Sequence, residues 1–146
     1  MIALSRRFMS LHRSEQRLVV EAVALLAGAW IGLRLLRFLT LRRILGRYAA
    51  LPPATMGRLT HSRVVSSVRW AITSVSAHVP SATCLVQALA ADAMLRRRGV
   101  ASELRLGVRL RLTGGIPIEA HAWVECDGGV LIGAAEHQSE FTVLTP

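Results

Sequence analysis

The chain has 146 residues, of which 52% are hydrophobic, so it is long enough for one domain with a buried core. Its formal net charge is +9, and all 18 basic residues are arginine. Its few aromatic residues do not interleave with the arginines as a base-stacking platform requires, which argues against a nucleic-acid partner. Two cysteines without CxxC spacing argue against disulfides and a zinc site, so we expect a cytoplasmic protein with no metal and no cofactor.

The first 50 residues are predicted to form an N-terminal helical arm. Apolar residues recur at the helical period from Leu18 onward, and the helix-rich segment runs to Leu45. Its longest apolar run, Ala22 to Leu33, is shorter than the roughly 20 residues that a membrane span needs. Beyond that run, arginine alternates with leucine, which is typical of a helix that covers the core with its arginines in solvent. Two alternatives stay open: a partner-binding arm, and an amphipathic helix that contacts a membrane surface.

Residues 51–146 are predicted to form the second, catalytic domain, because Leu51-Pro52-Pro53 ends the arm. Helices are expected over 63–77 and 84–98, the second ending in three arginines and a glycine stop at Gly99. The period then changes to two, which predicts strands over 103–112, 118–125 and 130–132. Helices followed by an antiparallel meander make an α+β domain.

Cys84 and His121 lie at positions that such a fold could bring together. Ser81 or Thr83 can cap the second helix, so Cys84 is expected in its first turn, where unpaired N–H groups and the helix dipole favour the nucleophilic thiolate. His121 follows on a later strand, and this is the chain order of papain-like and transglutaminase-like thiol enzymes. Singly, Cys84 could be core packing and His121 a satisfied strand histidine. Together they indicate a catalytic pair, with His121 as general base.

The second cysteine, Cys126, has a different prediction. Its position along the strand has the opposite parity to His121, so its side chain points to the other face of the sheet. We therefore interpret Cys126 as core or turn packing. The remaining histidines, His61 among them, have no comparable setting.

Four pieces of sequence resemble the lasso-peptide leader peptidase family: CLVQAL from Cys84, LRRRGV from Leu95, LRLGV from Leu104 and AHAWVE from Ala120. The resemblance implies a transglutaminase-like fold and a cysteine protease that removes the leader from a ribosomally made precursor peptide. It also implies partners: a leader-peptide recognition protein and a macrolactam synthetase that receives the released core peptide. Too few residues precede Ser14 for a fused recognition domain, so we expect the split form, in which that domain is a separate protein.

The residue that would orient His121 differs from the pattern of this family. Where members with an evident triad carry an aspartate after the histidine, this chain has Gly133. Asp127 lies about 20 Å along the strand from His121. A hairpin turning at Gly128-Gly129 would instead pair His121 with Glu136, whose carboxylate could orient the imidazole. The alternative is a backbone carbonyl, with no acidic third member.

Two rival functions remain open from the sequence. The same thiol chemistry could transfer an acyl group to an amine, as transglutaminases do. The chain could also be a non-catalytic adaptor in a peptide-maturation complex, and the missing aspartate favours that hypothesis.

Overall fold

The computed structural model describes residues 12–49, 57–79, 82–110, 118–134 and 138–144. Four helices come first: α1 Arg13–Leu35, α2 Phe38–Tyr48, α3 Arg58–Ser76 and α4 Cys84–Arg96. The strands are β1 Glu103–Leu110, β2 Ile118–Cys126, β3 Gly129–Ile132 and β4 Thr142–Val143, with a 3-10 turn over Gln138–Glu140 before β4. The predicted α+β order of helices followed by an antiparallel sheet is confirmed.

The described sheet has four strands in the order β3-β2-β1-β4, with every neighbouring pair antiparallel. Strands β1 and β2 carry the longest pairing, from Glu103 opposite Glu125 to Leu110 opposite Ile118. The meander predicted from the period-two pattern is therefore present, and β4 adds a short fourth strand beside β1 that the sequence analysis did not include.

Helix α4 is the centre of the core. It packs against α1, α2 and α3 and against the sheet. Eight of its thirteen residues are buried: Val86, Ala88, Leu89, Ala90, Ala91, Ala93, Met94 and Leu95. Four of the eight are alanines, whose small side chains let neighbouring elements approach the helix axis closely. The helix ends at Arg96, the chain turns away at Gly99, whose φ of +71° suits glycine, and Val100 N–H donates to Leu95 O at 3.0 Å.

The last of the three arginines after α4 does more than match the helix dipole. Arg98 donates from both terminal nitrogens to Glu21 of α1, at 3.2 and 2.6 Å. The pair is only partly exposed, and the bidentate geometry makes it stronger than an ordinary surface ion pair. It joins the end of α4 to the middle of α1.

The predicted N-terminal arm covers the core over its described part. Helix α1 contributes Ala22, Leu25, Leu26 and Ala29 to the same core as α3 and α4. The helix-rich segment is interrupted at Leu36 and Arg37, where extended backbone separates α1 from α2. Leu41 of α2 packs into the space left by Gly32 of α1, because a Cβ there would lie 2.5 Å from a Leu41 methyl.

Helix α1 is longer than the apolar run seen in the sequence. By length and composition it could cross a membrane, and 28% of its most apolar window is buried in the described structure. Four residues of α1 are buried in the domain core, as expected for a helix that packs in the core of a globular domain. Its exposed side still carries large apolar residues: Val20, Val23, Ile31 and Leu35.

We expect Leu26→Ala to lower the free energy of unfolding by about 2–5 kcal/mol, because it empties a buried site in the core. The matched control is Leu35→Ala on the same helix, which removes the same atoms from a side chain that is 76% exposed and should cost under about 1 kcal/mol. Urea unfolding followed by circular dichroism measures both. Equal small losses would mean that α1 is not part of the core.

Candidate active site

Cys84 is the first residue of α4. Thr83 is the N-cap, with its hydroxyl oxygen 3.5 Å from the Val86 N–H, so the predicted cap and the predicted first-turn position of Cys84 are both present. The Gln87 side chain donates to Ala82 O at 2.7 Å and ties the preceding loop to the helix. The thiol is half-buried against the hydrophobic core. A free thiol therefore stands beside the unpaired N–H groups of a fixed helix end.

His121 lies on β2 opposite Gly107 of β1, beyond the stretch of β2 that pairs with β3. Its neighbours Ala122 and Val124 point into the core shared with α4. By strand alternation His121 and Trp123 point to the other face. There the imidazole stacks on Trp123, with ring centroids 6.0 Å apart, and lies 5.4 Å from Phe141.

One hydrogen bond fixes the imidazole. The Nε2 of His121 lies 2.7 Å from the carbonyl oxygen of Gly133. A carbonyl oxygen only accepts, so Nε2 carries the proton. In the neutral ring the lone pair is then on Nδ1, and Nδ1 is the nitrogen that can take a proton from a thiol.

Gly133 can present its carbonyl in this way because it has no side chain. Its φ is +83°, a conformation that favours glycine. A Cβ there would also lie 2.6 Å from Ala122 O and 3.1 Å from the Trp123 backbone, which cannot move without disturbing β2. Position 133, where the resemblance led us to look for an aspartate, thus supplies a backbone carbonyl to the histidine.

The hairpin register differs from the one predicted. The turn residues are Asp127 and Gly128, both with positive φ, and Cys126 pairs with Gly129, as in a type I′ turn. The expected turn at Gly128-Gly129 is wrong by one residue, because Asp127 adopts the left-handed conformation, with a φ of +54°, and takes the first turn position. Glu136, the predicted third member, lies outside the described residues and stays a prediction.

Gly107 makes room for the rings around His121. A Cβ at Gly107 would lie 2.9 Å from the Trp123 ring and 3.0 Å from Phe141 Cβ. Ion pairs flank the rings: Arg109 bonds Glu119 and Glu140 and lies over Phe141. At the other end, Trp123 Nε1–H donates to Glu125 at 2.8 Å. The imidazole is thus held in an aromatic and ion-paired layer.

The structure brings Cys84 and His121 to neighbouring elements, since α4 packs on β2. Within the part of the chain that the structure describes, no hydrogen bond joins the thiol to the imidazole. The thiol packs on the helix-covered side of the sheet and the imidazole lies on the other. Strand β3 pairs with residues 124–126 of β2, and beyond that pairing the Gly133 backbone lies against Ala122 and Trp123 beside His121.

Cys126 points into the core shared with the helices, as predicted. Burial raises the pKa of its thiol, and the adjacent Asp127 raises it further, so the thiol is protonated at neutral pH. The sequence analysis missed its neighbour His61, whose Nε2 lies 2.7 Å from Asp127. No sequence signal links two residues that stand 66 positions apart.

Comparison with known families identifies the fold. The family model of the transglutaminase-like superfamily matches residues 29–145, which is most of the chain. The chain therefore belongs to the transglutaminase-like superfamily, whose chemistry is of the cysteine-protease or acyltransferase type. No curated protein and no solved structure matches the chain.

Gly133→Ala should displace the carbonyl and release the imidazole, because the added Cβ meets the β2 backbone. The matched control is Gly128→Ala, which also has positive φ but has open space around its Cβ. Imidazole nitrogen NMR should show a protonated Nε2 on neutral His121 in the unmodified protein and in Gly128→Ala, and a tautomer mixture in Gly133→Ala. A mixture already present in the unmodified protein would contradict the assignment.

Proposed function

We propose that this chain is a cysteine peptidase that removes the leader peptide from a lasso-peptide precursor in the cytoplasm. Cys84 is the nucleophile and His121 the base. The observation that carries the proposal is the hydrogen bond from His121 Nε2–H to Gly133 O, since it leaves Nδ1 as the basic nitrogen. The superfamily supports thiol acyl chemistry, and the resemblance of the AHAWVE and CLVQAL pieces supports the substrate.

The reaction follows from the roles of these two groups. His121 Nδ1 takes the proton of the Cys84 thiol, and the sulfur attacks the scissile carbonyl. The N–H of Cys84, free at the start of α4, donates to the oxyanion. The imidazolium then gives its proton to the leaving amine, and the acyl-enzyme remains on sulfur. Water, deprotonated by the same imidazole, hydrolyses the thioester and restores the thiol.

The edge of β2 is where the pair would meet. Cys84 starts a helix on one side of the sheet and His121 projects from the other, and at this stretch the Gly133 backbone lies against β2 where the β3 pairing has ended. An extended precursor segment lying along the same edge would reach both groups. Binding would then assemble the thiol–imidazole contact around the scissile bond.

The absence of an aspartate at position 133 does not make the site vestigial. An orienting group must accept from Nε2–H, and the Gly133 carbonyl does this. A neutral carbonyl stabilises an imidazolium less than a carboxylate does. We therefore expect slower proton transfer than in a triad with an aspartate, rather than an inactive adaptor.

A groove along α1 and α2 supports the proposal of a separate leader-binding protein. It has a volume of about 740 Å³, and its lining includes the apolar residues Val20 and Leu25 and the arginines Arg13, Arg17 and Arg97. Such a surface suits a partner with acidic and apolar contacts. The precursor and a macrolactam synthetase would complete the assembly, and membrane-surface contact through the same helices stays an alternative.

The test is cleavage of a synthetic precursor, followed by mass spectrometry. Cys84→Ala and His121→Ala should each lower the cleavage rate by more than about a hundredfold, and the double variant should lose little more. Cys126→Ser, compared at equal folded fraction, should keep the rate. Near-normal cleavage by folded Cys84→Ala would overturn the peptidase proposal.

The same assay separates the rival functions. Release of a free carboxylate at the cleavage site indicates hydrolysis, and a new amide to an added amine indicates acyl transfer. Adding the leader-binding protein should raise the rate at sub-saturating precursor, because it holds a disordered leader near the thiol. Equal rates with and without it would mean that the chain recognises its substrate unaided.

A further inference from the structure

Three side chains with metal-binding atoms converge away from the site described above. His61 is in the first turns of α3, Cys126 ends β2, and Asp127 begins the type I′ turn. The donor atoms of all three lie within 4.8 Å of one another. The closest pair is His61 Nε2 and Asp127 Oδ2, at 2.7 Å.

The spacing suits a small cation with few ligands. Tetrahedral Zn²⁺ with nitrogen, sulfur and oxygen ligands at about 2.0–2.3 Å keeps those ligands about 3.5 Å apart. The donors lie within 4.8 Å of one another, with one pair at 2.7 Å, so small side-chain adjustments would bring them to that spacing. Imidazole, thiolate and carboxylate are the ligand types that Zn²⁺ uses, whereas Mg²⁺ and Ca²⁺ prefer oxygen alone.

The surroundings leave a path for an ion. Cys126, Asp127 and Gly128 line one end of an open groove that also includes Glu103 and Glu125. The two arginines in that groove are already paired, Arg105 with Glu103 and Glu125, and Arg96 with Asp92. Their charge is therefore offset locally. Asp127 itself is 66% exposed at its side chain, so an ion can arrive from solvent.

We propose that His61, Cys126 and Asp127 form a Zn²⁺ site, with water as the fourth ligand. On binding, the Cys126 thiol loses its proton to solvent, and the single proton of the neutral His61 ring resides on Nδ1, so that Nε2 offers its lone pair to the metal. The sequence led us to expect no metal, because the cysteine spacing gives no zinc motif. The ligands come together only through the packing of α3 on the β2–β3 hairpin.

Such a site would act as a clip. It would join the start of α3 to the hairpin turn, two elements that otherwise meet through few side chains and the His61–Asp127 bond. The same hairpin leads into Gly133, whose carbonyl holds His121. A bound ion would therefore restrain the turn from which that carbonyl is positioned.

A second thiol nucleophile is a poorer account of the cluster. His61 uses Nε2 for the Asp127 carboxylate, and among the described residues no hydrogen bond joins its ring to the Cys126 thiol, as a base and its nucleophile require. Three donors meeting around one point suit an ion.

The test is a titration of untagged Cys84→Ser protein with Co²⁺ and then Zn²⁺. Removing the Cys84 thiol excludes metal held by the proposed peptidase site, and Co²⁺ bound to the remaining thiolate absorbs in the near ultraviolet. We expect one Co²⁺ per chain, displaced by Zn²⁺. His61→Ala, Cys126→Ser and Asp127→Asn should each weaken binding by more than about tenfold, and Cys126→Ser should abolish the sulfur band.

The control is His78→Ala, an exposed histidine at the end of α3 whose loss should leave the affinity unchanged. Asp127→Asn keeps a residue that accepts the positive φ of the turn, so this variant reports on the site even if Cys126→Ser fails to fold. Zn²⁺ should also raise the melting temperature of protein in which His61, Cys126 and Asp127 are unmodified. It should leave the melting temperature of the Asp127→Asn protein unchanged. Absence of a sulfur band, or binding by His61→Ala and Asp127→Asn as tight as that of the parent Cys84→Ser protein, would overturn the proposal.

Discussion

The burial of α4 is the constraint on which the structure depends. Three helices and the sheet pack around it, and its alanines allow them to come close. Complete burial of side chains such as Met94 and Leu95 contributes about 1.5–3 kcal/mol each. The Arg98–Glu21 pair holds the far end of the helix against α1. At the N-terminal end, which carries Cys84, the Gln87 side chain holds the preceding loop.

The sheet fixes the other half of the proposed chemistry by different means. His121 is placed by strand pairing, and its ring is oriented by rings on one side and by a carbonyl at Nε2. The position of that carbonyl depends on backbone with positive φ at Asp127-Gly128 and at Gly133, a conformation that few residue types adopt. Cys84 is held in place because α4 is packed on all sides. His121 is held in place because the backbone conformations at the turn and at Gly133 are restricted. The metal site that we infer would act on this second side.

Much of the fold could be predicted from the sequence, because its signals are local. The change from helical to period-two spacing identified the helices and strands, and Thr83 and Gly99 marked the two ends of α4. The split between α1 and α2 was not visible, since Leu36 and Arg37 suit a helix as well as a break. That a backbone carbonyl orients His121 was only one of two alternatives from the sequence, because a glycine has no side chain that could indicate a role for its carbonyl. His61 could not be found at all, as its partners meet it only in the folded chain.

The central claim is that His121 activates Cys84 across the edge of β2. Its most direct test is the rate at which iodoacetamide alkylates Cys84 at neutral pH, read by mass spectrometry so that Cys126 is scored separately. The account predicts that His121→Ala slows alkylation of Cys84 by at least about tenfold, while Cys126 stays nearly unreactive in both proteins. An unchanged Cys84 rate in folded His121→Ala would show that the thiol and the imidazole do not act together.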